Sequence, residues 1–256
     1  MPIGQHSTAP NMARVQRSST VDLITAQLRN AIYDGLLLPG SQLHEAIVAQ
    51  QLGVSRGSLR ESAQRLVQDG LLVARPGQGL RVATVGVEDL ESLYAARLVI
   101  EEAALRTLAG LPGREARRGR LATVIPLLER LEEWDAGKGV PGSPRAIGDT
   151  DLELHFETVK AAGNLRLAHF MTSLVMETRI ASLGHPRGYI VRTDVGEVHR
   201  QRLELVLSGR GDAAVEQLGE HFRDTLDRLT GRVPATVATA AVEQPEKDQQ
   251  LGPIAT

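Results

Sequence analysis

"LGVSRGSLRESAQRLVQDGLL", residues 52–72, is the stretch that decides how the N-terminal part of this chain folds. A turn at Gly53 leads to Ser55, whose hydroxyl suits a helix N-cap. A helical period then puts Leu59, Ala63, Leu66 and Val67 on one face as far as about Gln68, and Gly70 follows as a stop. The opposite face carries Arg56, Arg60 and Gln64 at i, i+4 and i+8. Upstream, "SSTVDLITAQLRNAIYDGLLLPG" repeats Val21, Ile24, Leu28, Ala31 and Ile32 at helical spacing, with Ser19 or Thr20 as cap and Gly35 as stop. "LHEAIVAQQLG" is a short helix between the two. Downstream, "LLVARPGQGLRVATV" reads as strand, Pro-Gly-Gln-Gly turn and strand. Helix, helix, turn, helix and hairpin make a winged helix-turn-helix, whose third helix would enter the DNA major groove.

The charge supports this locally, although the net charge is only −2. Between residues 56 and 82 the five arginines 56, 60, 65, 75 and 81 face only Glu61 and Asp69. The arginine fork pairs with guanine edges or phosphate, and Ser55 and Ser58 at a helix start can hold a phosphate. A solvated basic helix face would carry the same arginines. It is their order with the hairpin that points to DNA.

Hydrophobic residues make up 42% of the 256 residues and aromatics 3%, so the core is aliphatic, which favours helix-on-helix packing. The absence of cysteine excludes disulfides and thiolate metal sites and suits a reducing cytoplasm. No apolar run reaches the ~18 residues of a membrane span, and the N-terminus lacks the apolar core of a signal peptide. Residues 1–17 read as a disordered arm and 233–256 as a disordered tail. Between them the expected domains are 18–84 and 85–232, with no internal repeat.

From Val87 onward the pattern is helical. "VEDLESLYAARLVIEEAALRTLAG" carries Leu90, Leu93, Leu98 and Ala104 on one side. "EARRGRLATVIPLLERLEEW" reads as one helix kinked at Pro126, followed by a loop at 136–149. "DTDLELHFETVKAAGN", "LRLAHFMTSLVMETRIASL", "TDVGEVHRQRLELVLSGR" and "DAAVEQLGEHFRDTLDRLTG" are four further helices. His155, His199 and His221 lie on such helices. Asp151 precedes His155 by four residues, so the two share a face, about 40° apart. Asp with several His and no Cys suits zinc, nickel or manganese, although most such pairs are only exposed polar neighbours, the reading given to His169 and His185.

Two resemblances sharpen the reading. "LRNAIYDGLLLPGSQLHEAIVAQQLGVSRGSLRESAQRLVQDGLL" resembles the DNA-binding head of GntR-type transcription regulators, in "AI..G.L.PG..L.E", "LGVSR..LRE" and "L..DGL" in order. The likeness implies DNA contacts by Ser55, Arg56, Ser58 and Arg60, with Gly77 at the wing tip. Ala46 stands where some members carry arginine. "EDLESLYAARLVIEEAA", "DLELHFETVKAAGN" and "HRQRLELVLSGRGDAA" followed by "EHF" resemble the all-helical FCD effector domain of the FadR-like subgroup. Leu154 and Val198 replace the usual Phe and Glu. This likeness implies one divalent metal ion per chain on Asp151, His155, His199 and His221. It also implies a small carboxylate effector near Arg97 and Asn164, although Arg97 could equally pair with a neighbouring Glu.

The expected protein is thus mostly α, a cytoplasmic homodimeric regulator of palindromic operator DNA, of the repressor type and not an enzyme. A metal-dependent hydrolase and a metal-free sensor are the rivals. No HExxH, Walker or His-Asp doublet pattern supports the former.

Overall fold

The computed structural model describes residues 20–137, 144–185 and 194–232. The expected arm at 1–17 and tail at 233–256 lie outside the described residues.

The head opens with α1 (Thr20–Tyr33), which buries Ile24, Leu28 and Ile32. Gly35, at φ 67°, then turns the chain in a conformation that costs a side-chain-bearing residue energy. α2 (Glu45–Gln51) leads to α3 (Arg56–Gln68), where the Ser55 hydroxyl accepts the Ser58 backbone N–H at 3.0 Å, as the sequence anticipates. Leu59, Ala63 and Leu66 are fully buried against α1. β1 (Leu72–Arg75) and β2 (Gly79–Val82) pair antiparallel, Leu72 opposite Val82 and Arg75 opposite Gly79, with Gly77 at the tip. This hairpin is the wing.

The rest is a helical bundle: α4 (Val87–Ala109), α5 (Gly113–Arg120), α6 (Ile125–Asp135), α7 (Pro144–Ala161), α8 (Leu165–Gly184), α9 (Val195–Leu207) and α10 (Gly211–Leu229). Two sequence expectations are corrected. The single helix kinked at Pro126 is two helices, α5 and α6, with Pro126 in the first turn of α6. Proline there loses no hydrogen bond, because the first turn's N–H groups have no intrahelical partner. The Leu121 and Val124 side chains in the break are fully buried, which holds the corner in place. The loop expected at 136–149 is shorter, since α7 already begins at Pro144.

Leu90, Leu108, Leu131, Val206, Leu218 and Phe222 belong to the main bundle core. The head's core is not closed by the head alone. Met176 and Ile180 of α8 pack into it beside Ile24, Leu28 and Leu66. Next to them Arg179, fully buried, donates from Nε to the Tyr33 carbonyl at 3.0 Å, and its Nη1 lies 2.9 Å from Asp149 Oδ1 of α7. One helix thereby touches both the end of α1 and the helix that carries Asp151 and His155.

Candidate metal centre, effector cleft and DNA-binding face

On the head, the N-terminus of α3 and the wing tip are open to solvent. Arg56, Arg60, Gln64 and Gly77 are exposed and Ser58 is half-buried. Ser55 and Ser58 bond each other through their hydroxyls at 2.9 Å. Arg60 Nε donates to Glu45 of α2 at 2.9 Å, an exposed pair that holds the side chain over the helix-turn-helix. Arg65 belongs elsewhere: it pairs with Asp22 of α1 at 2.5 Å.

In the bundle, packing of α7, α9 and α10 brings Asp151, His155, His199 and His221 together. One donor atom from each lies within 4.8 Å of the other three. Ring centroids are 5.0 Å apart for His155 and His199, 5.3 Å for His199 and His221, and 5.7 Å for His155 and His221. All three imidazoles are buried, while Asp151 keeps partial access to solvent. His199 Nε2 donates to Asp151 Oδ1 at 2.5 Å. His155 Nδ1 hydrogen-bonds Glu101 of α4, which leaves its Nε2 turned toward Asp151 at 4.0 Å.

The protonation states suit a cation. Burial pushes His199 down to about 4, the nearby Arg202 charge acting in the same direction against its bond to Asp151. Burial and Arg202 likewise hold His221 well below the ordinary imidazole value. Burial opposes ionisation of Asp151, but the bond from His199 and the surrounding imidazoles outweigh it and hold the carboxyl far below the usual range. At neutral pH the cluster therefore offers neutral His199 and His221 beside a carboxylate, as a divalent ion requires. His221 Nδ1 is buried and has no hydrogen-bond partner among the described residues. The donor set, its ionisation and this orphaned nitrogen fit a divalent metal.

Above the cluster lies a cleft of about 620 Å³, its open mouth included, lined by Arg97, Asp151, His155, Thr178, His221 and Arg228 among others. Of the two sequence readings of Arg97, the pairing with a neighbouring Glu is present. Arg97 is 2% exposed and bonds Glu101 through Nε at 3.0 Å, yet it lines the cleft. Its guanidinium sits 4.7 Å from the Phe222 ring centroid and 5.2 Å from that of Tyr94. Asn164 lies apart from the cleft lining: it is the exposed N-cap of α8, its Oδ1 accepting the backbone N–H groups of Arg166 and Leu167. His169 is exposed and His185 half-buried, neither in the cluster.

Glu101 was missed at the level of sequence, except as an unnamed partner for Arg97. Burial opposes its ionisation, but His155 and Arg97 overcome this and bring it down to about 2. Arg202 and Gln217 were missed entirely. Arg202 is 5% exposed, donates from Nε to Gln217 Oε1 at 2.7 Å and reaches His199 Nδ1 at 3.2 Å from Nη1. The available signal was an arginine three residues after His199, on the face that helix buries.

Known proteins place this architecture. Residues 20–82 match the model of the bacterial regulatory proteins of the gntR family, and residues 92–224 match the FCD domain. The HTH-type transcriptional regulator YdhC of Bacillus subtilis (strain 168) is 33% identical over 207 residues, covering 79% of this chain and 88% of YdhC. The HTH-type transcriptional repressor GlaR of Escherichia coli (strain K12) is 29% identical over 137 residues, 53% of this chain and 59% of GlaR. In fold, the crystal structure of a GntR regulator from Rhodococcus sp. RHA1 superposes with a TM-score of 0.71 at 23% identity, over 84% of this chain and all of that one. No helix among the described residues is long and apolar enough to cross a membrane. The winged helix, the bundle and these matches agree: the chain belongs to the GntR family of DNA-binding transcription regulators and carries an FCD effector domain.

Proposed function

We propose that this regulator is a cytoplasmic homodimeric repressor that senses a small carboxylate through a divalent metal ion. The observation that carries the reading is the convergence of Asp151, His155, His199 and His221 beneath a cleft that also presents Arg97 and Arg228. The four side chains would hold zinc, nickel or manganese, and the bound ion would supply a Lewis-acid position for a carboxylate oxygen. Arg97 supplies a charge-assisted hydrogen-bond donor for the rest of the anion, and Tyr94 and Phe222 form an apolar wall. Glu101 fixes the orientation of the His155 ring. Two copies of α3, with Ser55, Arg56, Ser58, Arg60 and Gln64, would read a palindromic operator, the wing reaching the backbone at Gly77. The repressor reading is supported by the name of GlaR. Effector signals would reach the head through α8, whose Thr178 lines the cleft while Arg179 holds the end of α1.

Thermal melting of chelator-treated and metal-reloaded protein tests this. One ion ties three helices together, so metal at a hundredfold its dissociation constant adds about 2.7 kcal/mol. For a chain of this size that is a rise of roughly 5–10 °C in Tm. His221→Ala should abolish the rise and His169→Ala should keep it. Failure of every ion to bind under any loading condition would leave a metal-free sensor.

A further inference from the structure

Arg202 is a permanent cation buried against a ligand of the candidate metal centre. Its placement is fixed from one side: Gln217 Nε2 donates to the Val198 carbonyl at 2.9 Å, so Gln217 Oε1 faces Arg202 and accepts its Nε. A guanidinium only donates. His199 Nδ1, 3.2 Å from Arg202 Nη1, must therefore accept, which puts the ring proton on Nε2, the nitrogen bonded to Asp151. A ligating nitrogen needs a free lone pair. Moving the proton to Nδ1 frees Nε2 but sets one N–H against another, so Arg202 has to withdraw. Arg202 and His199 border a small cavity on the far side of the histidines, walled by Leu105, Leu121 and Val124, and Arg202 Nη2 has no hydrogen-bond partner among the described residues.

Charge makes the same demand. Arg97 and Arg202 already balance Glu101 and Asp151. A divalent ion would leave two uncompensated positive charges in a buried site, which is unfavourable unless an anion enters with it.

Resting on the metal reading above, we propose that Arg202 makes metal occupancy conditional: the ion is held weakly until an anion of charge −2, a small dicarboxylate, enters the cleft with it. The protein then responds to metal and dicarboxylate as a pair, not to either alone. Zinc affinity measured by competition with a chromophoric chelator, with free zinc buffered, tests this on the full chain. Wild type, Arg202→Leu and Arg202→Gln are each titrated alone, with malonate and with propanoate. The glutamine variant preserves a polar partner for Gln217 should the leucine variant fold poorly, and circular dichroism checks both. Removing a unit charge at this range predicts that both variants bind zinc at least about tenfold more tightly than wild type. Malonate should raise wild-type zinc affinity by a comparable factor, propanoate by less, and the difference should shrink in the variants. Variants that bind zinc no better than wild type, or a wild type indifferent to malonate, would overturn the role of Arg202 while leaving the metal reading intact. Zinc binding by none of the three proteins would overturn both.

Discussion

Glu101→Gln separates what the buried charges do for the fold from what they do for the metal centre. Glu101 is 3% exposed and serves two partners, accepting from Arg97 Nε at 3.0 Å and from His155 Nδ1. Glutamine keeps the shape and removes the charge. Arg97, 2% exposed, is then a buried cation without its counter-ion, and breaking one side of a buried pair costs about 3–5 kcal/mol. Arg97 retains the faces of Tyr94 and Phe222 and a contact to Thr178, which places the cost near the lower end, about 3 kcal/mol. At roughly 2–4 °C per kcal/mol this lowers Tm by about 6–12 °C. Separately, His155 loses the carboxylate that orients its ring, and losing such an outer partner weakens metal binding about 10- to 100-fold. Urea unfolding of chelator-treated protein reads the first effect and zinc competition reads the second. A variant that loses stability but binds zinc as wild type does would show that Glu101 serves only Arg97. A variant with unchanged stability would refute the ion-pair reasoning itself.

Two further outcomes are expected. Arg56→Ala and Arg60→Ala should each weaken operator binding by about 1–3 kcal/mol if they reach base edges, and less if they touch phosphate alone, as read by anisotropy at fixed salt. Arg60 gives up only its exposed pair with Glu45 on reaching DNA, a contact worth roughly 0–1 kcal/mol; unchanged affinity in both folded variants would remove α3 from the interface. Metal-free protein should lose stability in mild acid. Because folded His199 takes up a proton only near 4, against 6.5 for an ordinary imidazole, the unfolded chain binds the extra proton and stability falls as pH drops from about 6.5 toward 4. The share of His199 in the loss at pH 5 is about 2 kcal/mol relative to pH 7. Glu101, brought down to about 2, adds a second loss only below about pH 4.5. Urea unfolding at pH 7 and pH 5 should show the first step, and His199→Gln should reduce it, the remainder coming from His221, which burial also holds well below the ordinary imidazole value; equal wild-type stability at the two pH values would contradict buried neutral imidazoles.

The head was readable because its signals are local. Gly53 and Gly70 in left-handed turns, the Ser55 cap and the hairpin turn each act within a few residues, so the winged helix follows from the chain alone. The Asp151–His155 pair was visible for the same reason, as one turn of one helix. The break before Pro126 was not, because a kink and a new helix start have the same local chemistry, and burial of Leu121 and Val124 chooses between them. Nothing local ties His199 and His221 to that pair; they arrive because α9 and α10 pack on the bundle, with Phe222 edge-on to Tyr94. Glu101 and Arg202 read as surface charges until the bundle closes over them, when desolvation turns each into a group that must find a partner. The two-part division of the chain also changes in three dimensions. Covalent order separates head from bundle, yet Met176 and Ile180 finish the head's core and Arg179 binds its first helix, since a hydrophobic surface is buried by whatever apolar face lies nearest in space, however distant in sequence.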